Sequence, residues 1–121
     1  MLADIMSFST NELDTLMDAE ILTRSQKEPD LFAILVRRYE AALLRRARTI
    51  LKSPEDAEEA VQDAFTKMYL YADTYHAQAG ASFSSWAYTI LNRVAYTKYR
   101  AKGIERGKRA ELLPEHYESL P

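Results

Sequence analysis

Apolar residues recur at helical spacing along nearly the whole chain, and no stretch alternates with the two-residue period of a half-buried strand. The pattern predicts an all-α domain, a compact bundle of about four helices with a functional loop before the last one. A first helix is expected from near Ser9, where Ser9 and Glu12 have capping-box spacing, with an apolar stripe of Leu13, Leu16, Met17 and Ile21. The polar run 24–27 ends it. Glu28-Pro29-Asp30 opens a second helix that repeats Phe32, Leu35, Tyr39, Leu43, Ala47, Ile50 and Leu51 on one side. Its other side carries Arg37, Arg38, Arg45, Arg46 and Arg48.

Ser53-Pro54-Glu55-Asp56 is a restart signal: a capping serine, proline at the first helical position, and acids where the helix dipole favours them. The third helix should bury Ala57, Ala60, Val61, Ala64, Phe65 and Met68. Small residues at that spacing let another helix approach closely, which predicts a central position in the bundle. Residues 73–82 have no periodicity and contain Gly80, so a loop of functional length is expected there. A fourth helix should start around Ser84, bury Trp86, Ala87, Ile90 and Val94, and stop by Gly103. The expected organisation is a flexible N-terminus over 1–8, a helical domain over 9–103, and an interdomain linker, basic and then acidic, over 104–121.

Composition narrows the chemistry. A chain of 121 residues, 47% hydrophobic, suffices for one core. Cysteine is absent and the two histidines, His76 and His116, are far apart, so neither a metal nor a cofactor is expected. Paired acids such as Glu58 and Glu59 lack the histidine or phosphate-cradling loop that catalysis would want, and an enzyme is not expected. The N-terminus lacks the basic start and apolar run of a signal peptide, and no segment approaches the roughly 20 apolar residues of a membrane span. The expected location is cytoplasmic, without membrane insertion.

The net charge of -2 conceals a sharp division. Residues 54–73 hold six acids against Lys67, whereas residues 83–109 hold seven bases against Glu105. Such separation suggests two surfaces with different partners. The fourth helix interleaves Phe83, Trp86, Tyr88, Tyr96 and Tyr99 with Arg93, Lys98, Arg100 and Lys102. Single-stranded nucleic acid uses this combination, because bases stack on aromatic faces while cations hold the backbone. A plainer reading is an amphipathic helix with packed aromatics and solvated bases. The acidic helix likewise reads either as a solvated face or as a docking surface. The arginines of the second helix suit either DNA phosphates or the neighbouring acids. Trp86, spaced with Ile90 and Val94, reads as core.

Taken together these residues resemble region 2 of the extracytoplasmic-function (ECF) sigma factors. Asp56-Ala57-Glu58-Glu59-Ala60-Val61-Gln62-Asp63-Ala64-Phe65 is similar to that family's polymerase-docking helix. Phe83-Ser84-Ser85-Trp86-Ala87-Tyr88-Thr89-Ile90 is similar to the block that opens its promoter-reading helix. The resemblance covers about residues 10–103 and includes the tyrosine-bearing helix around Tyr39. It implies that Asp56, Glu59, Gln62 and Asp63 bind the clamp helices of the largest RNA polymerase subunit. It also implies that the loop, with Tyr75 and His76, and the helix start at Phe83, Ser84 and Ser85 capture a base flipped from the non-template strand of the promoter minus-ten element. Tyr88, Thr89, Asn92, Arg93, Tyr96 and Arg100 would hold adjoining bases and phosphates. An anti-sigma factor is a further implied partner.

Three departures from the family pattern stand out. Ala87 replaces the leucine after the tryptophan. Arg93 occupies the usual asparagine place, with Asn92 one position early. Thr89 and Ile90 stand where housekeeping sigma factors carry adjacent tryptophans, which implies weaker melting and stricter promoter choice. A complete family member continues into a second, minus-35-reading (region 4) domain, and a fragment ending in the linker is expected. The competing reading is a helical interaction module that binds a regulator of anti-sigma type without working on promoters; another is a general single-strand binder.

Overall fold

Asp18–Ser25 forms α1, Phe32–Ile50 forms α2, Pro54–Leu70 forms α3 and Phe83–Ala110 forms α4. Short 3-10 turns, Pro29–Leu31 and Ala72–Thr74, lead into α2 and follow α3. The computed structural model describes residues 17–75 and 82–110, with side chains as far as Glu105. No strand occurs among the described residues, and the all-α expectation holds.

The third helix is central, as its small residues predict. Ala57, Ala60, Val61, Ala64, Phe65 and Met68, the expected set, are all buried. Ala57, Ala60 and Ala64 are wholly inaccessible, as are Ala47 of α2 and Ala87 and Ala95 of α4, so α3 meets a small-residue surface on both neighbours. Side chains this short let backbones approach closely. Leu35, Leu43 and Leu91 fill the space between them, each fully buried. The start of α3 follows its sequence signal: Ser53 Oγ accepts the Asp56 N–H at 3.3 Å, with Pro54 in the first turn.

Other boundaries differ from expectation for local reasons. Met17 precedes α1 in an extended conformation and is 76% exposed, so it does not belong to the apolar stripe; Ile21 and Leu22 provide the buried face. The Ser9–Glu12 capping box, Leu13 and Leu16 lie outside the described residues. The last helix begins at Phe83, where Ser82 Oγ accepts the Ser85 N–H at 3.1 Å. It runs past Gly103 to Ala110. An interior glycine costs only about 1 kcal/mol relative to alanine, too little to stop a helix among good formers such as Ala101, Lys102 and Glu105.

The phase of α4 is the main correction. Its buried stripe is Phe83, Ala87, Leu91 and Ala95, whereas Trp86, Ile90 and Val94, expected in the core, are only partly buried. Both stripes are apolar and lie one residue, about 100°, apart on the helix. The stripe carrying two alanines wins the core because it lets α4 come close to α3. The bulkier stripe is left at the edge of the contact.

Candidate nucleic-acid and docking interfaces

The acids of α3 and the bases of α4 meet along an antiparallel seam. Lys98 Nζ is paired with Glu59, and Lys102 Nζ lies 3.8 Å from Asp56 Oδ1; numbers rise along one helix as they fall along the other. The hydrogen bond between them, with their mutual attraction, holds the Glu59 carboxyl below its ordinary range and pushes the Lys98 ammonium above its own. Gln62 and Asp63, about one turn beyond Glu59, are exposed. The implied docking set therefore divides into two acids already engaged by lysines and a second pair presented to solvent.

Arginines of α2 are drawn elsewhere. Arg38 Nη1 reaches Asp18 Oδ1 of α1 at 2.8 Å, and Arg46 Nε donates to Asn92 Oδ1 of α4 at 3.0 Å. Arg37, Arg45 and Arg48 are exposed. The link from Arg46 to Asn92 had no signal in the sequence, because its ends are 46 positions apart.

Two concavities flank α4. A groove of ≈ 730 Å³ runs between α3 and α4, with Trp86, Ile90 and Val94 as its apolar wall and Asp63, Lys67 and Arg93 among its polar lining. A smaller cleft is lined by Asn92, Arg93, Tyr96 and Arg100. Arg93 borders both. Asn92 and Tyr96 are half-buried while Thr89, Arg93 and Arg100 are exposed, so the cleft joins an aromatic ring to several hydrogen-bond donors.

At the N-terminal end of α4 the aromatics form one cluster. Phe83 is 5% exposed and its ring centroid lies 5.3 Å from Tyr39, 5.9 Å from Tyr75 and 5.7 Å from Trp86. Tyr75 and Trp86 are 5.2 Å apart, tilted at 52°. Tyr39 anchors the cluster by donating its hydroxyl to Asp18, which also holds Arg38. Burial first, and then that hydrogen bond to a carboxylate, push the Tyr39 hydroxyl up to about 12. Beside this cluster, Ser84 and Tyr88 are half-buried and Ser85 is exposed. His76 lies outside the described residues. The structure thus brings Tyr75, Phe83, Ser84, Ser85 and Tyr88 to one end of α4 and the Asn92 cleft further along it. Phe83 spends its surface on packing.

No helix among the described residues is long and apolar enough to cross a membrane, and no three metal-ligating side chains gather there.

The Sigma-70 region 2 family matches residues 35–104, and the chain belongs to that family. It is a sigma-factor region 2 domain and not an enzyme. Two similar curated proteins, each described as ECF RNA polymerase sigma factor SigK, come from Mycobacterium sp. strains KMS and JLS. Each is 26% identical over 97 residues, covering 80% of this chain and 48% of the relative. The chain spans about half the length of the curated relatives it matches. Their names place them in the group that the two motifs resemble. No solved structure matches the chain.

Proposed function

We propose that this domain serves transcription initiation in the cytoplasm, docking RNA polymerase through α3 and holding the minus-ten non-template strand through α4. The observation that carries the reading is the seam itself: one packed helix pair carries acids on one member and bases with aromatics on the other. Exposed Gln62 and Asp63 offer the first contact for basic side chains of the polymerase clamp helices. Asp56 and Glu59 then accept clamp cations alongside Lys102 and Lys98, so that Lys98, which is only 18% exposed, keeps its carboxylate partner. At the other surface, residues 73–82 with Ser84 and Ser85 capture a flipped base, while Tyr88, Asn92, Arg93, Tyr96 and Arg100 hold its neighbours. Flipping costs a few kcal/mol of stacking, which contacts with aromatic and polar side chains offset. No bond is made or broken by this domain.

One observation favours a second partner. The groove between α3 and α4 has an apolar wall and adjoins both surfaces, which suits a regulator of anti-sigma type that covers the two at once. Titration of the chain with minus-ten non-template oligonucleotides of varied sequence, alongside pull-down with the isolated clamp helices, tests the proposal. Sequence-dependent binding and clamp capture are expected. Binding to neither, or binding to single strands without preference, contradicts it.

A further inference from the structure

We propose that residues 111–121 of this chain dock in the groove between α3 and α4 and cover its apolar wall, so that the domain masks its own surface. The segment lies beyond the described residues. The chemistry of the groove and the reach of the chain select it as the occupant.

The groove calls for a cover that is both apolar and acidic. Trp86, Ile90 and Val94 form its apolar wall because the neighbouring stripe, Ala87, Leu91 and Ala95, has taken the core. Apolar surface lining a concavity of ≈ 730 Å³ favours an apolar occupant over water. The lining also holds four cations against two acids, Asp63 and Glu105. Two of the cations, Lys98 and Lys102, already engage Glu59 and Asp56. The other two, Lys67 of α3 and Arg93 of α4, form no ion pair among the described residues. An acidic occupant therefore meets one unpaired cation on each helix.

Residues 111–121 have that composition. Glu111, Glu115 and Glu118 are interleaved with Leu112, Leu113, Tyr117 and Leu120, and the segment has no lysine or arginine. Residues 1–16 are also apolar and acidic, but they lead into α1, which packs on α2, whereas residues 111–121 continue the helix that forms one wall of the groove. Along that helix, Val94 lies about 24 Å and Ile90 about 30 Å back from Ala110, at 1.5 Å per residue. Eleven extended residues span about 36 Å, enough to reverse direction and return along the groove to the apolar wall. Tethering holds the segment at an effective concentration on the order of mM, so weak contacts suffice. Arg93 borders both the groove and the cleft with Asn92 and Tyr96. A covered groove thus withholds this cation from nucleic acid, a consequence that rests on the reading of α4 as the strand-holding helix.

Trp86 is the single tryptophan of the chain and stands in the groove wall, so its fluorescence reads the cover directly. In the full chain, Tyr117→Ala/Leu120→Ala should shift its emission to the red and increase its quenching by acrylamide. A synthetic peptide of residues 111–121, added to this variant, should reverse both changes saturably. Glu115→Lys/Glu118→Lys should also expose Trp86, and adding Lys67→Glu should recover part of the protection, a coupling that independent effects would not give. Thermal melts accompany each variant. An unchanged Trp86 signal in both variants of residues 111–121 overturns the proposal. Protection that falls on dilution, as a second copy in the groove would give, overturns it too, as does protection lost in Ile5→Ala/Phe8→Ala instead. Anisotropy on a minus-ten single strand should show the Tyr117→Ala/Leu120→Ala variant binding about 3- to 10-fold more tightly than the wild type, the range of one released hydrogen-bonding contact. Equal affinity beside a shifted Trp86 signal overturns the withholding of Arg93. Binding by neither chain overturns the functional reading and leaves the Trp86 result to decide the docking.

Discussion

Truncating Leu91 to alanine should be among the most damaging single changes in the domain, and Ile90→Ala, its immediate neighbour, among the mild ones. Leu91 is wholly inaccessible and belongs to the same core as Ala57, Val61 and Ala64 of α3. Losing a buried leucine side chain costs about 3–4 kcal/mol, the transfer term plus the cavity left behind. Ile90 is only partly buried at the wall of the groove, so its truncation should cost about 1 kcal/mol. For a domain near 100 residues, each kcal/mol shifts Tm by roughly 4–8 °C, which predicts losses of about 12–30 °C and about 4–8 °C respectively. Thermal unfolding followed by circular dichroism, repeated in denaturant, measures both. If Ile90→Ala proved the more costly, α4 would be rotated by about 100°, and Asn92, Arg93 and Tyr96 would no longer line a common cleft.

Two further outcomes follow from the local geometry. Ser53→Ala removes the acceptor for the Asp56 N–H and should cost about 1 kcal/mol in an equilibrium melt. Tyr39 is neutral when protonated, and its hydroxyl is raised from 10.0 to about 12 by burial and by Asp18, so the folded state holds this proton more tightly than the unfolded state. Its contribution is complete below pH 10 and is lost as pH rises through about 12. Melts of wild type and Tyr39→Phe should therefore differ below pH 10 and converge above 12; a constant difference across that window refutes the assignment.

How much of this was readable in the sequence depended on how many solutions each segment allowed. The third helix has a single apolar stripe and an unmistakable Ser-Pro-Glu-Asp start, and its buried set matched residue for residue. The fourth has two adjacent apolar stripes, Trp86-Ile90-Val94 and Ala87-Leu91-Ala95, and periodicity cannot choose between them. The choice is made by close approach to the alanines of α3, a tertiary fact. Charge segregation between residues 54–73 and 83–109 was visible, but the two segments were expected to serve separate partners. That Lys98 and Lys102 neutralise Glu59 and Asp56 depends on the antiparallel register of helices about 40 residues apart in sequence. The link from Arg46 to Asn92 was hidden for the same reason. Family motifs placed the chain in its family, and the fold supplied which faces of the helices are exposed.

The central claim is that two adjoining surfaces of one helix pair serve two partners, and exchanging their substitutions tests it most directly. Clamp-helix binding and oligonucleotide binding should be measured on the Gln62→Ala/Asp63→Ala double variant and on the Arg93→Ala/Arg100→Ala double variant, with folding checked by melts. The account predicts that the first loses the clamp and keeps the strand, while the second keeps the clamp and loses the strand with a shallower salt dependence. The opposite pattern would mean that the two surfaces are exchanged, and equal loss of both partners in both variants would contradict their separation.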